Sequence, residues 1–328
     1  MSGLLEAVQK TEIPDIYAVQ RVLSSEEDQE DLFRMADAAK NRVFGSTVFV
    51  PGVIEFSSYC ERECAYCGLN RNVAREDRYR MTPDEVVEAA LTAAELYSTI
   101  ILKSGEDVWY TSRMLADIIG KVRSKTSVTI TMAVGERSPD AYRAMRDAGA
   151  NRFLIRHETA EALLHEDHDA RLEAQPDAQN ALQDMGFEVA SGFLVGLPGQ
   201  DNSIVAADIL MQQQQSVDMA DISPFVAHQD TIVAEFPDGS PVVALRALAV
   251  MRVLLPKCHL PASAALAVKG SQMQALQCGA DMVLQNATPL KYQKLFDPYP
   301  GREVPDGSLK DARDRLFETL RDMRLEPA

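Results

Sequence analysis

Val50-Pro51-Gly52-Val53-Ile54-Glu55-Phe56 runs directly into Ser57-Ser58-Tyr59-Cys60-Glu61-Arg62-Glu63-Cys64-Ala65-Tyr66-Cys67-Gly68. The first part is an apolar run of strand length. The second holds three of the chain's five cysteines inside eight residues, spaced C-x3-C-x2-C. That spacing lets one loop wrap a compact metal centre, and thiolates select zinc or iron–sulfur over harder ions. A closed zinc site wants a fourth Cys or His nearby, in two pairs. The next histidine after Cys67 is His157 and the next cysteine is Cys258, so zinc is poorly supplied. A 4Fe–4S cluster held by Cys60, Cys64 and Cys67, with one iron left open for an outside ligand, suits the spacing better.

Working outward from this strand, a regular alternation sets in. A first strand over residues 50–56 ends at the cysteine loop. Thr82-Pro83-Asp84-Glu85 is a capping box with Pro at the first helical position. Further strands are predicted over 99–102, 127–133, 152–156, 189–195, 219–225, 260–264 and 281–285, with helical material between each pair. Ser138-Pro139 starts one of these helices, and Gly149 stops it. Eight strand–helix alternations with short apolar strands predict a closed parallel (βα)8 barrel of the TIM type. A doubly wound open sheet is the alternative. Upstream, Ser25, Asp28, Leu32, Met35, Ala36, Ala39 and Val43 read as a capped amphipathic helix. Residues 1–46 are therefore expected to be a helical extension, and 47–328 the barrel with a C-terminal helix.

In such a barrel the chemistry sits on loops after the strands' C-terminal ends. Polar groups fall at those ends: the cysteine loop, Ser104-Gly105-Glu106-Asp107, Gly135-Glu136-Arg137, His157-Glu158-Thr159, Gly196-Leu197-Pro198-Gly199, His228, and Asn286 with Thr288. Their convergence on one mouth carries more weight than any one of them, since each alone reads equally well as a turn.

Composition narrows the function classes. The 328 residues are 46% apolar, enough for a large core, and carry a net charge of −16. That charge disfavours nucleic acid, whose phosphates need a basic surface. The early Glu6 and Glu12 argue against a secretory signal, and Arg246 and Arg252 interrupt the most apolar run, 244–255, so no membrane span is expected. An odd cysteine count with three clustered argues for a reducing cytoplasm rather than a disulfide framework.

With the aromatic Tyr66 just before its third cysteine, the motif resembles the signature of the radical S-adenosylmethionine superfamily. Within it, the chain resembles the FeFe-hydrogenase maturase HydE family, which is related to biotin synthase and methylornithine synthase. The resemblance spans roughly 48–301 and is carried by Ile54-Glu55-Phe56-Ser57, Arg78-Tyr79-Arg80-Met81, Ser104-Gly105-Glu106-Asp107, Gly135-Glu136-Arg137, Arg156-His157-Glu158-Thr159-Ala160, Val195-Gly196-Leu197-Pro198-Gly199-Gln200 and Cys278-Gly279-Ala280. It implies that S-adenosylmethionine binds the open iron and that Tyr66, Ser104, Gly105, Glu106, Arg156 and Glu158 contact this cofactor. The charges agree, since carboxylates suit an ammonium and a sulfonium. Three departures stand out. Lys103 replaces a usual glutamine, and Ser263-Ala264 replace two threonines. A cofactor-binding arginine after the fourth strand has no counterpart in step, Arg171 being misplaced and Gln175 standing there in a gapped alignment.

Lys103, Glu136, His228, Ser263 and Asn286 are candidates to line a substrate cavity. Tyr292 is a candidate catalytic residue facing that cavity, with packing under a C-terminal helix as the alternative. Cys258 and Cys278 read as small buried residues at the barrel's other end. His165 and His168 read as surface, and His157 equally well as a satisfied core histidine. The expected activity is reductive cleavage of S-adenosylmethionine to a 5′-deoxyadenosyl radical. By resemblance, the radical acts on a small iron complex during assembly of the diiron subcluster. The expected partners are that substrate, a reduced donor such as ferredoxin or flavodoxin, and other hydrogenase maturation proteins. Radical chemistry on another amino-acid-derived or sulfur-containing substrate is a second reading. A non-catalytic iron-complex carrier is a third, which the carboxylates at the cofactor end disfavour.

Overall fold

The computed structural model describes residues 14–159 and 171–328. His165 and His168 lie outside them. Two helices come first, α1 (Ile16–Ser24) and α2 (Gln29–Phe44), then β1 (Thr47–Val48) and β2 (Gly52–Ser57). Helix and strand then alternate through α3 (Pro83–Ala94), β3 (Thr99–Ser104), α4 (Ser112–Arg123), β4 (Thr129–Ala133), α5 (Pro139–Asp147), β5 (Arg152–Leu154), α6 (Arg171–Asp184), β6 (Glu188–Val195), α7 (Asn202–Gln214), β7 (Met219–Pro224), α8 (Pro241–Leu254) and β8 (Pro261–Ala262). Two short helices, α9 (Ala264–Val268) and α10 (Gln272–Ala275), precede β9 (Met282–Val283) and β10 (Gln285–Asn286). The chain closes with α11 (Leu290–Gln293), α12 (Leu309–Asp322) and β11 (Glu326–Pro327), which pairs with β1.

Seven strands form one parallel sheet in the order β10-β2-β3-β4-β5-β6-β7, and β8 pairs with β9. The two pieces join into a barrel. Met219 bridges His259, whose backbone bonds reach Asp218 and Ala220 at 2.8 and 2.9 Å. This closure lies at the strands' N-terminal ends. Towards the mouth β8 stops at Ala262, because Ser263 caps α9 by accepting the Leu266 N–H at 3.3 Å. The strand expected over 260–264 is therefore shorter, and the wall is open between β7 and β8 on the mouth side. The predicted parallel barrel is what forms, and the open doubly wound sheet is not.

The capping signals act as the sequence leads one to expect. Thr82 and Glu85 satisfy each other's backbone N–H groups at the start of α3, with Pro83 in its first turn. Gly149 ends α5 at φ +113°, a conformation costly for any residue with a Cβ. Alternation along the strands then separates two layers. Ile54, Phe56, Ile100, Leu102, Ile130, Met132, Phe153 and Phe193 face the helices in the main core. Each of these fully buried side chains contributes about 1.5–3 kcal/mol. Val53, Ile101, Ala133, Leu154 and Leu284 pack together across the barrel interior. One pleat further along come Glu55, Lys103, Arg156 and Asp221, and these set up the site.

At the closed end, Arg252 is fully buried. It donates to the carbonyls of Gly279 (2.7 Å), Pro256 (2.8 Å) and Cys258 (2.7 Å) and to Asp281 Oδ1 (2.5 Å). Asp281 also accepts from Leu260 N–H (2.7 Å) and bonds His259 Nδ1 (2.6 Å). Cys258 and Cys278 are buried beside this network, as their sequence context suggests. The N-terminal helices seat against the outer layer, α2 on α8 and α1 on α7 and α8. Among the described residues no helix is long and apolar enough to cross a membrane.

Candidate metal and cofactor site

The cysteine loop leaves β2 at the barrel mouth and is fastened on three sides. Glu106 N–H points at Cys60 Sγ at 3.3 Å, and Glu61 N–H donates to Glu106 O at 3.0 Å. Arg78 reaches four loop carbonyls, those of Ser58, Leu69, Asn70 and Val73, at 2.6–3.1 Å. Gly68 lies so near His228 and Asp297 that a Cβ there would meet His228 Nε2 at 2.4 Å. All three thiols are free. Burial raises the pKa of each, Cys67 to about 12, and the neighbouring thiols add to the rise at Cys64, where a hydrogen bond with Tyr66 opposes it. Such a trio ionises only against compensating positive charge. Among the described residues, no three His, Cys, Asp or Glu groups close around one point as a single ion requires. Three thiols on one short loop are soft donors of the kind an iron–sulfur cluster takes.

Beside the thiols stand the loops after β3 and β4. Gly105 passes so close that a Cβ would lie 2.2 Å from Tyr59 O and 2.8 Å from Cys60 Cβ. Only glycine allows this approach. The Glu106 carboxylate is held by Arg62 at 2.5 Å and by Glu136 N–H at 3.0 Å, while Glu136 lies 3.7 Å from Arg62. Gly135, at φ +72°, makes room for Glu106. Ser104 donates its hydroxyl to Gly105 O at 2.6 Å.

Further in, the barrel carries paired charges. Arg156 Nε donates to both Glu158 oxygens at 3.0 Å, and its Nη1 reaches Asp221 Oδ2. Ser223 donates to Asp221 Oδ1 at 3.0 Å. Burial alone would lower the Arg156 pKa, but the two carboxylates outweigh it and raise it. Glu158 sits at φ +66°, a strained conformation for a non-glycine residue and one that clusters at functional sites. Across the interior, Arg302 donates to Glu55 Oε1 at 2.6 Å. Lys103 Nζ lies 3.9 Å from the same oxygen, and Asn286 Nδ2 lies 3.5 Å from Oε2.

The structure thus brings together Cys60, Cys64, Cys67, Tyr66, Ser104, Gly105, Glu106, Glu136, Arg156, Glu158, Lys103 and Asn286. Three expected residues stand elsewhere. Tyr292 does not face the interior: its ring stacks on Tyr79 at 4.6 Å and its hydroxyl bonds Glu85 of α3 at 2.9 Å. It lines a surface cavity of about 440 Å³ between α3 and the C-terminal segment. His228 is buried behind the cysteine loop, accepting from Asp230 N–H at 3.1 Å and bonding Asp297 at 3.3 Å, so it props the loop. Ser263 spends its hydroxyl on the α9 cap. His157 is a satisfied core histidine, bonded to Asp208 at 3.0 Å and Gln212 at 2.8 Å.

Sequence reasoning missed Glu55 and Asp221 as site residues, although a carboxylate inside an apolar strand is a legible signal. Arg302, 247 residues from Glu55, gave none.

The chain is similar to several known proteins. The profile of the Radical SAM superfamily matches residues 54–209. The chain is 37% identical over 278 residues to the FeFe hydrogenase maturase subunit HydE of Thermotoga maritima, covering 83% of this chain and 80% of that one. It is 28% identical over 268 residues to 3-methylornithine synthase of Methanosarcina acetivorans, covering 80% and 75%. The crystal structure of methylornithine synthase superposes with a TM-score of 0.86 over 99% of this chain and 97% of that one, at 24% identity, a likeness of fold.

Proposed function

Because the chain belongs to the radical S-adenosylmethionine superfamily and, within it, to the FeFe-hydrogenase maturase HydE family, we propose that it is a maturase acting in assembly of the diiron subcluster of the hydrogenase active site. The chain is an enzyme of that superfamily, which pairs a 4Fe–4S cluster with S-adenosylmethionine. In our reading Cys60, Cys64 and Cys67 hold the cluster, and the remaining iron takes the cofactor. With both bound, the reduced cluster would pass one electron to the sulfonium of S-adenosylmethionine, which would give methionine and a 5′-deoxyadenosyl radical. The observation that carries this reading is the fastening of the thiol loop to the Ser104-Gly105-Glu106 loop through Cys60. It sets the thiols beside the carboxylates that suit a cationic cofactor.

The chain's own residues then have distinct tasks. Ser104, Gly105 and Glu106 meet the amino end of S-adenosylmethionine, with Arg62 and Glu136 orienting Glu106. Tyr66, Arg156 and Glu158 complete the cofactor's surroundings. Lys103 and Asn286 line the space beyond, where a small iron complex is received. A reduced small donor protein supplies the electron. The test is anaerobic reconstitution followed by an assay for 5′-deoxyadenosine, and then complementation of a host lacking its own maturase. Hydrogenase activity in that host supports the reading. Cofactor cleavage without complementation would point to another small substrate, and no cleavage would overturn the enzymatic reading.

A further inference from the structure

The charges inside the barrel are shared unevenly. On one side two carboxylates, Glu158 and Asp221, bracket the single guanidinium of Arg156. On the other, two cations, Lys103 and Arg302, share the single carboxylate of Glu55. Among the described residues, the first group holds one more carboxylate than cation, on the β5 and β7 side. The second leaves net positive charge on the β2 and β3 side. In a low-dielectric interior such an imbalance attracts a compensating charge strongly.

Lys103 is the unfinished member. Arg302 already takes Glu55 Oε1 at 2.6 Å, and Lys103 Nζ stands off at 3.9 Å, beyond hydrogen-bonding distance. Nζ also sits 5.4 Å from the Phe296 ring centre, and no acceptor for it occurs among the described residues. An ammonium has three donors, which water or a ligand must meet here. Its side chain is still 40% accessible. Lys103 lies two residues after Ile101, on the face of β3 that looks into the barrel, so its accessible surface faces the space the barrel encloses. Burial lowers its pKa, with Glu55 opposing.

We propose that Lys103, backed by the Arg302–Glu55 pair, is a specificity-determining residue that holds a carboxylate of a small substrate. This rests on the reading of the barrel as a substrate-binding enzyme. The geometry makes the carboxylate the choice: it is flat, carries several acceptor sites and matches an ammonium beside a guanidinium. The opposite, negatively charged side is then left to the cationic part of the cofactor or substrate. A neutral ligand would bring Lys103 no counter-charge.

The test uses holoenzyme reconstituted anaerobically and loaded with S-adenosylmethionine. Calorimetry compares two probe pairs that differ only by a carboxylate, L-cysteine against cysteamine and L-lysine against cadaverine. In at least one pair the acid is expected to bind at least about ten-fold tighter, the scale of one charged hydrogen bond. Lys103→Gln should erase that preference and Lys103→Arg should retain it. Lys103→Met, a neutral side chain of similar length, serves if the glutamine variant melts early. Equal affinity within both pairs, or a preference that survives Lys103→Gln and Lys103→Met, overturns the proposal. Absence of 5′-deoxyadenosine from the wild-type protein counts against the enzymatic reading. Cleavage with no carboxylate preference counts against this inference alone.

Discussion

The two ends of the barrel bury charge in opposite ways. At the closed end Arg252 is surrounded by three carbonyls and the Asp281 carboxylate, and Asp281 in turn also binds Leu260 and His259. At the mouth, Glu55 serves two cations and Arg156 serves two carboxylates. The first arrangement is saturated and needs no further partner. The second is charged but uneven, and its groups face a space. Buried charge that is complete holds a fold together, whereas buried charge left uneven marks where something binds.

The largest expected effect lies at the mouth. Cys60→Ala, Cys64→Ala and Cys67→Ala each should abolish the cluster absorbance and all formation of 5′-deoxyadenosine, since each removes one of three anchors. Changing Cys258 and Cys278 together to Ala should leave that absorbance intact. A reconstituted Cys64→Ala protein that still cleaves the cofactor would break the comparison at once. At the closed end, Arg252→Ala strips a buried carboxylate of its partner and should cost about 3–5 kcal/mol of stability. Chemical denaturation measures it, and the cofactor affinity of the folded protein should not change.

Glu158 sharpens the contrast, because its two roles separate. Glu158→Ala should weaken S-adenosylmethionine binding by about 1.5–3 kcal/mol in a calorimetric titration with the cluster loaded. Glu158→Gly should weaken it similarly while relieving about 1 kcal/mol of strain at φ +66°. A glycine variant less stable than the alanine one would show that the backbone there is not strained.

The smallest effects belong to the outer surface. Tyr292→Phe removes the bond to Glu85 and should cost about 0.5–1.5 kcal/mol, with cofactor binding unaffected. Lys291, followed by the Thr82 N–H, holds the Glu85 carboxyl down to about 2 from an ordinary 4.5. A carboxyl depressed by folding stabilises above its unfolded value. That contribution is complete above pH 4.5 and is lost as pH falls towards 2. Lys291→Ala should shrink the loss. Salt should shrink it too, because the pair is exposed. A stability profile over pH 2–5 that is identical in wild type and Lys291→Ala would remove this contribution.

By itself the sequence determined the barrel, the thiol loop and the carboxylates that follow β3 and β5. Each is written locally, in apolar runs of strand length, in capping pairs such as Thr82 with Glu85, and in three cysteines within eight residues. What only tertiary structure decided is which polar residues share a space. Tyr292 and His228 follow strands as Asn286 ends one, yet Tyr292 packs against α3 and His228 props the loop from behind. Ser263 turned from strand to cap because β8 ends at Ala262. Arg302 reached Glu55 across 247 residues of chain. Local signals specify the direction and length of an element. Charge sharing depends on distances between elements, and those are set only when the barrel closes.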